Sequence, residues 1–374
     1  MTGRQSAEIA ALESLLEGRK GFSLNMIIGL DGFVDEIIHV VDKRQSYSEF
    51  TRIEYMAEFG GRISKAAGLS TNIEFVPQQT KLGGNGPIYS NALLEYGVQV
   101  TYVGAIGLPD VHPVFKPMAE KAKAVYPLCD PGHTDALEFI DGKVMLGKHS
   151  ILASITWEGF KETLGGVEKV AEMIKHCDLF GMENWTMLPH MSEIWEGMIG
   201  EVFPLLPDKA DKPAAFFDVA DPEKRTKGDI LNAMALIGRF EPKFKTILGL
   251  NEKELYEIAE VFGIHGGDLK SSTMAVYDKL GIYCLVVHPT KEAVCVIGGE
   301  YYQADGPYCP NPKLTTGAGD NFNAGFCLAQ SLGLDPQSSL LLGVATSGYY
   351  VRNAKSPTFE GIRQFLADWR NNNI

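Results

Sequence analysis

Short apolar runs alternate with stretches whose apolar residues recur at helical spacing along most of the chain. The apolar runs predict strands over 25–29, 101–105, 179–181, 214–218, 246–249 and 283–288. The helical spacing predicts helices over 87–96, 164–176, 191–200, 227–239, 251–262, 269–280, 319–333 and 338–352. Because strands that alternate with helices form parallel sheets, this order predicts an α/β fold with a central, mostly parallel sheet flanked by helices.

One stretch interrupts this alternation. Residues 136–140 and 143–146 flank Asp141-Gly142, a sequence typical of a tight β-hairpin, and residues 71–76 predict another strand of this kind. A small sheet beside a parallel core predicts a lid, with segments at about 34–80 and 133–150. Because the sequence contains no repeat and no Pro/Ser-rich linker, we predict a single domain over 1–374 that carries this lid.

The amino-terminal region, residues 1–21, has an amphipathic pattern. Its apolar residues recur at helical spacing among glutamates, which predicts a helix with Ile9, Leu12, Leu15 and Leu16 on its apolar side. No run of about 18 apolar residues is present, so we predict no membrane span. The 6 cysteines form no Cys-x-x-Cys pair and lie mostly in apolar stretches. We therefore expect buried, reduced thiols and a cytoplasmic location.

Composition and charge narrow the class of protein. Of the 374 residues, 45% are hydrophobic and 22% charged, which is typical of a globular protein and excludes disorder as the main state. There are 47 acidic against 34 basic residues, and the formal net charge is -13. We therefore expect no nucleic-acid partner, because an acidic surface repels the phosphate backbone. The negative net charge does not exclude an anionic small substrate, since local backbone N–H groups can bind phosphate within an acidic protein.

The segment 314–326 carries the strongest chemical signal. Gly317, Ala318 and Gly319 precede a predicted helix, so their N–H groups lie at its positive end and form an anion site. Asp320 follows in the first turn and could accept a proton from an attacking hydroxyl while the N–H groups hold the developing phosphate charge. The spacing alone fits equally well an ordinary helix N-terminus whose acidic residue complements the dipole.

Two segments resemble one family. Thr-Thr-Gly-Ala-Gly-Asp-Asn-Phe-Asn-Ala-Gly-Phe within 314–326 resembles the signature near the carboxyl terminus of the ribokinase-like carbohydrate kinases, the PfkB family. Lys-Leu-Gly-Gly-Asn-Gly-Pro within 81–97 is similar to their amino-terminal glycine signature. The resemblance spans roughly 25–366 and implies a ribokinase-like fold with a small β lid. It also implies transfer of the γ-phosphoryl group of ATP to a sugar hydroxyl, with Asp320 as general base and 317–319 as the anion hole.

The resemblance implies roles for further residues. These are Asp31, Asp35, Gly83, Gly84 and Asn85 for the sugar, Asn251, Thr316 and Asn323 for the nucleotide, and Asn251 and Glu254 for Mg²⁺. Of the two aspartates that follow the first strand, we prefer Asp35. Asn251 and Glu254 also match a helix capping box, and both roles are compatible. Asp218 begins a degraded form of the family's Asp-x-Asn-x-Arg, with Ala220 at the Asn position and the Arg displaced.

Departures from the family pattern leave alternatives open. Ile88 stands where the family has a sugar-contacting Asn, and His-Pro-Thr-Lys-Glu at 288–292 replaces a glycine-rich turn that borders the nucleotide. Leu314 replaces an acidic residue that helps to bind a monovalent cation, so a potassium requirement is not implied. The alternatives are a nucleoside kinase or an ADP-dependent sugar kinase of the same superfamily, or a non-catalytic sugar-binding homologue. An exposed lid sheet could also pair with a second subunit to make a homodimer.

Overall fold

The computed structural model describes residues 3–17 and 22–374. Its strands are β1 (Asn25–Gly29), β2 (Phe33–Arg44), β3 (Phe50–Arg52), β4 (Phe75–Gly83), β5 (Gln99–Gly104), β6 (Ala124–Pro127), β7 (Gly132–Phe139), β8 (Gly142–Lys148), β9 (Leu179–Met182), β10 (Ala214–Asp218), β11 (Lys245–Leu250), β12 (Cys284–Val287), β13 (Glu292–Ile297) and β14 (Glu300–Asp305). Its helices are α1 (Gly3–Leu16), α2 (Met56–Lys65), α3 (Asn85–Glu95), α4 (Lys116–Lys121), α5 (Trp157–Leu164), α6 (Val167–Lys175), α7 (Met191–Gly197), α8 (Lys227–Gly238), α9 (Glu252–Val261), α10 (Leu269–Leu280), α11 (Ala318–Ser331), α12 (Pro336–Asn353) and α13 (Phe359–Arg370).

The larger sheet has the order β14-β13-β12-β11-β10-β9-β1-β5-β6 within the described residues. Seven neighbouring strands of this sheet are parallel, namely β12, β11, β10, β9, β1, β5 and β6. Strands β13 and β14 add an antiparallel edge. Alternate side chains feed two hydrophobic cores: Phe217 and Leu248 pack on one face, and Phe216 and Ile247 on the other. Burial on both faces explains why these strands are continuous apolar runs, and the predicted α/β fold is confirmed.

A second sheet of five strands forms the lid. It has the order β3-β2-β7-β8, and β4 also pairs with β2, antiparallel over Phe33–Val40. One face of this sheet is covered by α2, and Phe59 of this helix lies in a separate apolar cluster with Ile38, Val40, Ile53, Leu137 and Phe139. The predicted hairpin is confirmed as β7 and β8. The strand predicted over 71–76 is wrong in place, since β4 runs over 75–83.

Several boundaries differ from the predictions for local reasons. The helix predicted over 164–176 begins only at residue 167, as α6, because Gly165 and Gly166 take positive φ values of 89° and 102° after the end of α5. The helix predicted over 191–200 ends at 197 and continues as a π-helical turn. In α1, Leu15 is 43% exposed although Ile9, Leu12 and Leu16 are buried, and the predicted ends at 1–2 and 18–21 lie outside the described residues.

Two observations bear on the expected environment. In the part of the chain that the structure describes, no helix is long and apolar enough to cross a bilayer. All 6 cysteines are free, and all but Cys309 are buried.

Candidate active site

A cavity of about 720 Å³ lies between the lid and the carboxyl ends of the central strands. The lid contributes Asp35, Thr134, Met145 and Gly147 to its wall. The core contributes Gly84, Asn85, Ile88, Asn184, Met187, Ala220, Asp221, Lys224, Asn251, Glu254, Thr316, Gly317 and Asp320. Most of the predicted site residues therefore meet at one cavity, although they come from strands and helices distant in sequence.

Residues 316–319, the glycine loop at the start of α11, separate this cavity from a second one. Thr316, Gly317 and Asp320 face the lid, whereas Ala318 and Gly319 line a groove of about 300 Å³ on the opposite side. Gly317 has a φ of 91°, and a Cβ atom there would lie 2.9 Å from the Tyr350 hydroxyl. The Ala318 N–H donates to the Thr315 carbonyl, so in this structure it serves the turn rather than an open anion site.

The second groove lies against the turn after β12. It is walled by His288, Pro289, Thr290, Glu292, Gly306, Pro307, Tyr308, Cys309, Pro312, Phe322, Val344, Ser347, Gly348 and Val351 beside the glycine loop. Burial lowers the pKa of His288 to about 4, so its imidazole is neutral at physiological pH. A Cβ on Gly319 would approach its Cε1 to 2.9 Å. The sequence that replaces the family's glycine-rich turn therefore places a neutral ring against the glycine loop.

Asp320 lies in the first turn of α11 and is only 8% exposed. Burial, reinforced by the carboxylate of Asp31, raises its pKa well above the usual value, while a hydrogen bond with the Asn85 side chain opposes that rise. A carboxylate whose proton affinity is raised in this way is suited to accept a proton near neutral pH. Its placement on the cavity wall gives it access to a bound hydroxyl.

The placement of Asp31 does not favour the direct sugar contact predicted for it. It does not line the cavity, and it is completely buried. Its Oδ2 accepts from the Asn85 N–H at 2.9 Å and from the Asn184 Nδ2 at 2.7 Å, and its Oδ1 accepts from the Gly86 N–H at 2.9 Å. The N-cap of α3 is Gly84, which has no side chain to cap the helix. Asp31 therefore serves as a remote cap for this helix.

Asp35 is the aspartate that reaches the cavity. It belongs to β2, pairs in register with Lys81 and Thr134, and accepts a hydrogen bond from the Thr134 side chain. Burial raises its pKa, and the Lys81 ammonium opposes that rise. Any side chain on Gly83 would collide with this carboxylate, which explains the glycine there although Gly83 does not line the cavity.

Asn251 and Glu254 form the capping box of α9. The Asn251 Oδ1 accepts from the Glu254 N–H at 3.0 Å, and Glu254 accepts from the backbone N–H groups of Asn251 and Asp221 at 2.8 and 2.9 Å. Both side chains also line the cavity, with the Asp221 carboxylate beside them. Oxygen donors of this kind, one or two carboxylates on a wall that a phosphate can reach, fit a hydrated Mg²⁺ ion.

A layer of buried carboxyl groups lies beneath the cavity. Asp218 accepts from Asn85 Nδ2 and from Asn323 Nδ2, each at 3.4 Å. Burial and neighbouring carboxylates raise the pKa values of Asp218 and Glu183. Asn323 is completely buried in this layer and lines neither cavity, so its placement does not favour the direct nucleotide contact predicted for it.

The wall also contains residues to which the sequence analysis assigned no role. Asn184 has a φ of 63°, and its Oδ1 accepts from the Met187 N–H while its amide holds Asp31. Lys224 lines the cavity, whereas the adjacent Arg225 does not. A left-handed asparagine carries no signature in sequence, and the position of Lys224 depends on the turn that Arg225 fixes.

Comparison with known proteins places this chain in one family. The sequence model described as "Khk: Prokaryotic ketohexokinase" matches residues 11–369. The chain belongs to the prokaryotic ketohexokinase family. A curated relative, the ketohexokinase of Haloferax volcanii, is 28% identical over 348 residues, which cover 92% of this chain and 91% of the relative. The protein is therefore an ATP-dependent carbohydrate kinase of the ribokinase-like class.

Solved structures support the fold. A probable sugar kinase from Rhizobium etli has a TM-score of 0.64 at 16% identity and covers 94% of this chain and 99% of its own. The ribokinase of Thermotoga maritima has a TM-score of 0.60 at 16% identity, with 92% and 100% covered. The adenosine kinase of Sinorhizobium meliloti has a TM-score of 0.62 at 14% identity, with 93% and 99% covered. Sugar kinases and nucleoside kinases share this fold, so the fold alone does not distinguish them. The match to the ketohexokinase family does.

Proposed function

We propose that this kinase transfers the γ-phosphoryl group of ATP to a hydroxyl of a ketohexose, with Asp320 as general base and the backbone N–H groups of Gly317 and Gly319 as the anion site. The observation that carries this proposal is the position of Asp320, on the cavity wall in the first turn of α11, directly after the glycine loop. The family description and the Haloferax volcanii relative both name a ketohexokinase, which supports a ketohexose as the acceptor.

The two cavities divide the substrates between them. The sugar occupies the lid-side cavity, where Asp35 and Asn85 offer polar atoms to its hydroxyls. The nucleotide occupies the groove beside His288, which is walled largely by apolar and backbone atoms. The phosphate chain then passes the glycine loop between them, so the reacting oxygen and phosphorus approach each other at residue 317. Positioning of this kind supplies much of the rate of phosphoryl transfer.

Asp320 accepts the proton of the attacking hydroxyl. Its raised pKa increases its strength as a base once it is ionised. The N–H groups at the start of α11 stabilise the charge that develops on the transferred group. Asn251, Glu254 and Asp221 would hold Mg²⁺, which supplies neutralisation of the phosphate oxygens when it is bound.

The direct test is Asp320→Asn. We expect the turnover number to fall by at least about 10² to 10⁴, the usual share of general-base catalysis, while the dissociation constant of the sugar measured by calorimetry stays within about twofold. A coupled assay compares ATP with ADP as donor, and ketohexoses with aldohexoses and nucleosides as acceptors. Turnover that survives in Asp320→Asn contradicts the role of Asp320. Activity restricted to nucleosides, or to ADP as the donor, contradicts the substrate assignment.

We also propose a homodimer formed through the lid. Among the described residues, strand β8 pairs with β7 alone and leaves its other edge free, and the apolar side chains of Ile140 and Leu146 beside it are 57% and 42% exposed. A free edge with exposed apolar residues favours pairing with a second copy. Light scattering should give twice the chain mass, and Leu146→Lys should reduce it to one chain. A wild-type monomer across the micromolar range contradicts the dimer.

A further inference from the structure

The turn that follows β10 places one lysine in the active-site cavity. Ala220 and Asp221 have left-handed φ values of 52° and 55°, so the chain reverses directly after the buried Asp218. The Asp221 N–H donates to Glu254 at 2.9 Å and fixes the turn beside α9. A short 3₁₀ turn over Pro222–Lys224 follows, and it ends with Lys224 on the cavity wall.

Arg225 anchors this turn and is unavailable to a ligand. Its guanidinium donates to the carbonyl oxygens of Trp185, Thr186 and Leu188 at 2.9 to 3.2 Å and lies 4.9 Å from the Trp185 ring centroid. All of these contacts join the turn to the loop after β9. The arginine of the degraded motif is therefore structural, and its neighbour Lys224 is the basic residue left facing the cavity.

Lys224 is held loosely. Its side chain is 49% exposed, and among the described residues the one carboxylate within ion-pair distance of Nζ is that of Asp221, at 3.4 Å. A half-exposed pair at this distance contributes little to stability, typically below about 1 kcal/mol. The ammonium is therefore free to exchange Asp221 for a more highly charged partner.

The charge of the cavity favours an anionic partner for this lysine. Among the described residues that line the cavity, Lys224 is the single lysine or arginine, whereas Asp35, Asp221, Glu254 and Asp320 are acidic. A nucleoside triphosphate brings further negative charge into this acidic surrounding. Mobile Mg²⁺ and a side-chain cation are the two ways to offset that charge.

We propose that Lys224 binds the phosphate groups of the nucleotide donor. The position of its partner supports the assignment: the Asp221 N–H donates to Glu254, which is proposed to hold Mg²⁺ together with Asn251, so Lys224 lies beside the proposed metal site. A ketohexose carries no charge and has little need of an ammonium group. This inference rests on the proposed function and adds a donor-binding residue to it.

The test compares Lys224→Met, Lys224→Arg and the control Lys253→Met. Lys253 has the same charge and also approaches Asp221, at 3.7 Å, but it pairs with Glu223 at 2.6 Å and does not line the cavity. Calorimetry measures the dissociation constants of ATP, ADP and adenosine with Mg²⁺ present. We expect Lys224→Met to weaken ATP binding by about 10- to 100-fold, the effect of losing a hydrogen bond between charged groups, and to leave adenosine binding unchanged.

The kinetic constants provide the second readout. In Lys224→Met the KM of ATP should rise by about 10-fold or more, while the KM of the sugar stays within about twofold; Lys224→Arg should retain most of the affinity for ATP, and Lys253→Met should behave as wild type. An unchanged ATP dissociation constant in Lys224→Met overturns the inference even if the enzyme is an active ketohexokinase. A rise confined to the sugar KM also overturns it, because Lys224 then belongs to the acceptor site. Failure of the wild type to phosphorylate any ketohexose would refute the proposed function and leave the binding comparison intact.

Discussion

The Tyr350 hydroxyl donates a hydrogen bond of 2.9 Å to the carbonyl oxygen of Thr316, immediately before the left-handed Gly317. Burial raises the pKa of Tyr350, so the hydroxyl keeps its proton and remains a donor at every physiological pH. This contact ties the glycine loop to α12. The loop between the two cavities is thus held from behind by a residue that lies 30 positions or more from either of its ends in sequence.

Removal of that hydroxyl should loosen the loop. In Tyr350→Phe we expect the turnover number to fall by about 3- to 10-fold, because one hydrogen bond contributes roughly 1 kcal/mol to holding the loop. Steady-state kinetics measure the effect. The control is Tyr349→Phe, since the ring of Tyr349 packs edge-on against Phe365 and does not line either cavity. Equal losses in the two variants would contradict a positioning role for Tyr350.

A methyl group at Gly317 should force the glycine loop out of its present conformation. A Cβ there would lie 2.9 Å from the Tyr350 hydroxyl and 3.0 Å from Cγ2 of Ile88, and the φ of 91° adds strain. We expect Gly317→Ala to reduce turnover by about 10²-fold or more, through misplacement of the backbone N–H groups. Gly333→Ala is the matched control, because its φ is 72° and no atom lies within 4 Å of the added Cβ. That variant should lose a little thermal stability and keep its activity.

The pH dependence of activity should report Asp320. Since burial raises the pKa of Asp320, the base is protonated and inactive up to a higher pH than an ordinary aspartate would be. The acidic limb of kcat/KM against pH is therefore expected well above the usual carboxyl range, with activity increasing as the pH rises. The limb should be absent from the residual activity of Asp320→Asn. A profile that is flat down to pH 5 in the wild type would contradict this assignment.

Cys309 offers a test of the nucleotide groove that is independent of activity. It lines the groove and is partly exposed, whereas Cys129, Cys177, Cys284, Cys295 and Cys327 are buried. A thiol reagent should modify one cysteine rapidly in the native protein, and ATP should slow that reaction by about 10-fold or more at saturating concentration. Mass spectrometry identifies the site, and Cys309→Ser removes the rapid phase. Modification at an equal rate with and without ATP would place the nucleotide elsewhere.

The free energy of unfolding should depend on pH through the titration of Asp31. Burial raises its folded pKa from 3.8 to about 6, so folding favours the protonated form. The contribution of Asp31 is complete below about pH 4 and is lost as the pH rises through 6, a decrease of about 3 kcal/mol. The difference in free energy of unfolding between the wild type and Asp31→Asn should therefore shrink from pH 4 to pH 7.

A second aspartate provides the control for that measurement. The Ser271 hydroxyl and N–H lower the pKa of Asp268, so its contribution is present above 3.8 and is lost only as the pH falls through the folded value. The difference between the wild type and Asp268→Asn should stay constant from pH 5 to pH 7. A parallel decrease for both variants would mean that the change does not arise from Asp31.

The sequence predicts the central strands well because burial on both faces leaves a continuous apolar run. β1 and β10 match their predicted bounds, and the other predicted central strands differ by one or two residues at one or both ends. The lid strand β2 was not predicted, because a bulge between Ile37 and Ile38 interrupts its alternation of polar and apolar side chains. The edge strands β13 and β14 and the helices α2 and α13 were also not predicted.

The motifs locate the site but do not show which role each of its residues has. Asp31 and Asp35 both follow β1, and only the packing of α3 shows that the first caps this helix while the second faces the cavity. Lys224 and Arg225 are adjacent, and three carbonyl groups from a distant loop decide which of them is free. Such distinctions depend on contacts between segments far apart in sequence, which spacing within one motif does not contain.

Helix α2 gives the lid an apolar interior of its own, built around Phe59 and apart from the two large cores. A small interior of this kind stabilises less than the central sheet, so the lid should be the first part of the molecule to melt. Asp320 would then still be held by the intact central sheet and its helices, but water would enter the cavity that the folded lid covers. On warming, catalysis should fail several degrees before the bulk of the protein unfolds, and it should return on cooling.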